Sequence, residues 1–144
     1  MIRPTITSLT VVAALALAAP SFAASTSDWA KSADKICARA NADIDKLPQP
    51  TSVKSLIAST EKFLEIGKRQ TSDLAKLKRP SGDAAAIAKL VGYYEQQVGV
   101  VKSLIDALKH GDQAKTQKLI TQGDALDASA KSLAKKLGAK TCAS

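Results

Sequence analysis

The sequence predicts an all-α chain folded as an up-down-up-down antiparallel four-helix bundle, and three observations carry that expectation. Past the first two dozen residues, apolar side chains recur with a helical period and nowhere with the alternation of a strand. Proline, glycine and capping residues interrupt the period at three places, leaving four segments. The connections between them are short, which makes consecutive helices antiparallel neighbours.

A leader comes before the first helix. Residues 1–23, "MIRPTITSLTVVAALALAAPSFA", combine Arg3, an apolar run from Leu9 to Ala19, and small residues at Ser21 and Ala23. This is the pattern of a secretory signal peptide cut after Ala23. The run is shorter than the roughly 20 apolar residues that span a bilayer, and no second run follows. The expectation is an exported chain, secreted or periplasmic, with no transmembrane segment in its mature part and one domain over residues 24–144.

Helix 1 is expected over residues 28–47, where Ala33, Cys37, Ala40, Ile44 and Leu47 line one face. Pro48 and Pro50 end it, and Thr51 or Ser52 offers the next N-cap. Helix 2, residues 53–78, keeps the spacing with polar or small residues on its seam: Val53, Ile57, Thr60, Leu64, Gly67, Thr71 and Leu74. Its alanine, lysine and leucine content still favours helix. "RPSGD", residues 79–83, ends it. Helix 3, residues 84–109, carries the clearest seam, with Ile87, Val91, Tyr94, Val98, Val101, Ile105 and Leu108 stepping alternately by four and three. In "KHGD", residues 109–112, Gly111 suits a left-handed C′ position and Asp112 can cap helix 4. Helix 4, residues 113–137, repeats the alternation with Leu119, Gly123, Leu126, Ala130, Leu133 and Leu137.

Two cysteines, Cys37 and Cys142, enter an oxidising compartment together, where an even number implies a bridge. They lie far apart in sequence, unlike the close pair of a metal or redox site. Bundle geometry permits the bridge, because the start of helix 1 and the end of helix 4 share a pole. If helix 1 starts near Asp28, Cys37 stands about 13 Å up it. The tail from Leu137 to Cys142 reaches up to roughly 17 Å when extended. Gly138 would release helix 4 so that the tail folds back.

"ICARAN" in the first mature helix and the closing "LGAKTCAS" resemble small exported helical proteins of actinobacterial type, which share an early I-C-x-x-A-N and a late L-G-x-x-x-C. The matching positions are Ile36, Cys37, Ala40, Asn41, Leu137, Gly138 and Cys142. That group carries no assigned reaction, so the resemblance implies a compartment and a cystine.

Several chemistries fail on composition. Covalent haem needs C-x-x-C-H, and the one Met is Met1, within the leader. A di-iron bundle needs several Glu with Glu-x-x-His pairs, against Glu61, Glu65, Glu95 and the single His110 here. Glu61 and Glu65 lie one turn apart but read as solvated carboxylates among lysines. His110 reads as a surface residue complementing the dipole of helix 3. No nucleophile, base and orienting group assemble from one His and a cystine, so neither an enzyme nor a bound cofactor or metal is expected. Trp29 is expected to cover the end of the core. Asn41, bordering the apolar face, is a candidate for fixing register or holding the tail's backbone.

Charge is the feature with functional content. The chain has a formal net charge of +8, one unit of it from Arg3 in the leader. The topology gathers Lys76, Lys78, Arg79, Lys131, Lys135, Lys136 and Lys140 at one pole, with Lys31 and Lys35 added from helix 1. Such a pole suits weak, salt-sensitive attraction to anionic envelope polymers or lipid head groups. Specific nucleic-acid binding is not expected, because these cations lack interleaved aromatics and arginine richness. The reading is therefore a non-catalytic interaction module with a basic pole. The alternative is a carrier of a small apolar ligand in a core pocket near Thr60, Gly67, Gly92, Tyr94 and Gly99.

Overall fold

The computed structural model describes residues 25–144; the leader and its cut after Ala23 lie outside the described residues. Four helices follow one another: α1 (Thr26–Ile44), α2 (Val53–Lys76), α3 (Ala84–Lys109) and α4 (Gln113–Lys136). They form the expected four-helix bundle.

The helix ends follow from side-chain chemistry. Ser25 caps α1 by accepting from the Asp28 N–H, and Ser52 and Ser55 form a reciprocal capping box at α2. Asp112 caps α4 through the Lys115 N–H. Asp83 precedes α3 without capping it; its carboxylate accepts instead from the Thr26 hydroxyl and ties the starts of α1 and α3 together. Gly111 and Gly138 take the left-handed conformation, with φ of 65° and 80°. After each, a 6→1 bond closes a Schellman motif: Asp112 N–H to the Ala107 carbonyl, and Ala139 N–H to the Ala134 carbonyl. Helix 1 stops at Ile44, three residues short of the expected end, because the chain turns at residues 45–47 ahead of Pro48.

Packing is sequential: α1 lies on α2, α2 on α3, and α3 on α4, while no Cα of α1 comes within 8 Å of one in α4. Near the pole where α1 begins and α4 ends, the space between these two helices is filled by the C-terminal tail. Alanines on both flanking helices make room for it: Ala30 and Ala33 on α1, and Ala130 and Ala134 on α4, all buried. Ala139 and Cys142 of the tail are buried among them, together with Trp29, Leu74, Ile87 and Leu90. Cys142 is bonded to Cys37 with a Cα–Cα distance of 5.2 Å, so the expected bridge is present.

The tail has a second fastening. The Asp34 carboxylate accepts three backbone N–H groups, from Lys140 (3.2 Å), Thr141 (2.7 Å) and Cys142 (3.2 Å). It stands one turn before Cys37 on the same face, so carboxylate and disulfide hold successive residues of the tail. The role considered for Asn41 is thus taken by Asp34, and Asn41 is exposed. A short polar side chain at the groove edge can stay hydrated, whereas the tail's N–H groups at the buried end require an acceptor.

Beyond the tail the core thins. No residue of α4 before Ala130 is buried, and Phe63 and Ile120 remain 39% and 42% exposed. What stays covered there lies on α3, through Val100, Ile105 and Ala107, and on α2, through Leu64 and Ile66.

Candidate functional site

Because the tail fills only the first part of the space between α1 and α4, the rest remains a groove of about 390 Å³. That lies within the range of small-molecule sites, roughly 300–1,000 Å³. α3 forms its floor, α1 and α4 its walls, and the disulfide with Thr141 closes one end.

Register along the helices sorts the lining by polarity. At the closed end stand the cystine, Gln70, Tyr94, Asp127 and Lys131; one turn on come Asn41, Gln97 and Asp124. Farther from the disulfide, the lining turns apolar with Ile44, Phe63, Val101, Leu104, Leu119 and Ile120. From Tyr94 to Leu104 the helix rises about 15 Å, which sets the length of the gradient. Gln70 Nε2 approaches Cys37 Sγ at 3.4 Å. Asp127 and Lys131 form an ion pair at 3.1 Å, one turn apart on α4.

Tyr94 is the residue most altered by this setting. Its ring is buried, and burial, with the Asp127 carboxylate as the smaller cause, pushes its hydroxyl up to about 12. The phenol therefore stays protonated at neutral pH and can donate into the groove. Among the described residues its hydroxyl has no hydrogen-bond partner.

The five residues proposed for a pocket do not share one cavity. Tyr94 lines the groove. Gly67 and Tyr94 line an annex of about 50 Å³ between α2 and α3, and Thr60 faces a shallow depression beside Pro48 and Leu56. At Gly92 and Gly99 an added Cβ would meet nothing within 4 Å, so both face open space rather than a ligand. The groove depends on lateral spacing between the first and last helices, and neither glycine pattern nor heptad phase encodes that spacing. One signal was legible: the segment before Pro48 is the shortest of the four.

The seven cations of the basic pole sit where the topology puts them, at the ends of α2 and α4 and in the tail. Lys76 pairs with Asp73 at 3.6 Å and Lys131 with Asp127. No carboxylate of the described residues lies within 4.0 Å of the charged groups of Lys78, Arg79, Lys135, Lys136 or Lys140. Asp34, at the same pole, is committed to the backbone of the tail.

The remaining candidates take structural positions. Glu61 pairs with Lys109 at 2.6 Å and Glu65 with Lys68 at 2.7 Å, so the two share no cation. His110 is the exposed C-cap of α3, its Nδ1 2.8 Å from the Asp106 carbonyl. Tyr93 lies beside Lys89, whose ammonium is 5.9 Å from the ring centroid. Trp29 covers the core end at 2% exposure, its Nε1 without a partner among the described residues. Among the described residues no cluster of His, Cys, Asp and Glu is arranged to hold a metal, and no helix is long and apolar enough to cross a membrane.

Comparison with known proteins returned no matching family model, curated protein or solved structure.

Proposed function

We propose that this chain is an exported, non-catalytic binding protein that carries a small amphipathic molecule in the groove between α1 and α4. The observation that supports this reading most is the polarity gradient along an unfilled groove, polar at the disulfide and apolar beyond it. A bundle that served only as a stable scaffold would gain by burying Phe63 and Ile120, since each apolar Å² removed from water contributes about 25 cal/mol. A neutral fluorescent apolar dye, N-phenylnaphthylamine, tests the reading. The wild-type protein should enhance its emission at one site per chain, and Ile120→Lys, at an exposed wall position that leaves the fold intact, should remove most of the enhancement. Absence of saturable enhancement, or full enhancement in Ile120→Lys, would contradict a groove carrier.

A second reading rests on a different observation, the unpaired cations at the closed pole. They support weak attachment to anionic envelope polymers or lipid head groups, screened by salt. Changing Lys135, Lys136 and Lys140 together to Gln should abolish retention on anionic vesicles at low ionic strength. Retention equal to wild type would sink this reading and leave the groove untouched.

A further inference from the structure

The groove's charge runs against that of the chain. In a protein with 21 Lys and Arg against 13 Asp and Glu, the charged side chains lining the groove are Asp124, Asp127 and Lys131. Lys131 is already engaged by Asp127 at 3.1 Å, whereas Asp124 has no cation among the described residues within 4.0 Å. The groove therefore carries one carboxylate without a paired cation, an exposed one at the rim where its polar end meets the apolar lining. The other polar side chains facing it, those of Asn41, Gln70, Tyr94, Gln97, Thr141 and Ser144, are neutral.

From this complementarity we infer that the groove selects a single-chain amphiphile with a cationic head: ammonium toward Asp124 and Asp127, hydrocarbon along Ile44, Phe63, Leu104 and Ile120. The inference rests on the carrier reading above and adds the class of the ligand. An anionic head would meet Asp124 with no free cation to offset it. A neutral head would satisfy the amides and Tyr94 but leave the carboxylate unused. The preference has to act against the long-range repulsion of a cation by the whole basic protein, so it is a local property of the groove.

A head-group series on one chain length tests it. Decylammonium and decanoate below their micelle concentrations, and decanol below its solubility limit, are titrated calorimetrically into the full mature protein with its disulfide intact. The expected order is decylammonium, then decanol, then decanoate, with about tenfold or more in Kd between the first and the last, the span that one nearby charge supplies at a partly hydrated site. Asp124→Asn combined with Asp127→Asn leaves Lys131 unpaired, so the same series should invert toward decanoate while decanol stays within about twofold. Helical content by circular dichroism checks that these variants fold. Decanoate binding as tightly as decylammonium to wild type, or no inversion in the double variant, would overturn the head-group assignment and leave the carrier reading standing. No binding by any of the three would overturn both.

Discussion

The two halves of this bundle use the same four helices to opposite effect. In the half that holds the disulfide, Leu74, Ile87 and Leu90 are fully buried, the tail occupies the space between α1 and α4, and two independent fastenings, Asp34 and the cystine, hold it there. In the far half the same heptad pattern continues along α4, yet Leu119 and Leu126 are only partly covered and Ile120 is 42% exposed. The difference lies in what separates the outer helices. Alanines admit the tail at one end, and the spacing persists at the other, where none of the described residues fills it. Closure at one pole thus produces the opening at the other.

The largest effect expected from breaking the closed half comes from removing the bridge. Replacing Cys37 and Cys142 together by Ala should lower stability by about 4 kcal/mol, measured by denaturant unfolding, because the bridge closes a loop with a sequence separation of 105. A loss below about 1 kcal/mol would mean that the tail is held chiefly by Asp34. Next comes a matched pair of truncations. Leu74→Ala, at a site with no exposure, should cost about 3 kcal/mol, whereas Leu119→Ala in the groove wall should cost under about 1 kcal/mol. Equal costs would erase the distinction between the halves.

A smaller effect reports on the junction between them. Tyr94, with its hydroxyl pushed up to about 12 in the fold, keeps a proton that the unfolded chain releases near pH 10. Its contribution is therefore complete below pH 10 and is lost as the pH rises through 12, on the order of 2 kcal/mol in all. Lysines titrate in the same window, so the quantity to measure is the stability of wild type minus that of Tyr94→Phe across it. A difference that does not change between pH 9 and 12 would place the phenol in water. The smallest effect is a gain. Gly92→Ala, mid-helix with open space around the added methyl, should stabilise α3 by roughly 0.5–1 kcal/mol and leave dye binding unchanged.

Most of the fold was legible in the sequence because its determinants are local. Helical period, proline breaks and the glycines at 111 and 138 each act within a turn or two, and the observed helix bounds fall within about three residues of the expected ones. The bridge was legible from the pairing of two cysteines and from the reach of the tail. What the sequence did not disclose is lateral. Gly123 and Ala130 occupy equivalent phases of one seam, and only the position of the tail decides that the groove opens beside one and the closed pole buries the other. The role of Asp34 was hidden for a related reason: among so many lysines it reads as a countercharge to the basic pole, and its engagement with three N–H groups exists only once the tail has folded back. Its place one turn before Cys37, on the face that must receive the tail, was the available signal.

Amide hydrogen exchange followed by mass spectrometry tests the central claim, that one chain holds a closed half and an open half, most directly. The account predicts slow exchange in residues 84–95 and 130–142 and markedly faster exchange in residues 113–124. Adding decylammonium should protect the second region and leave the first unchanged. Uniform protection along α4, with or without the amphiphile, would contradict it.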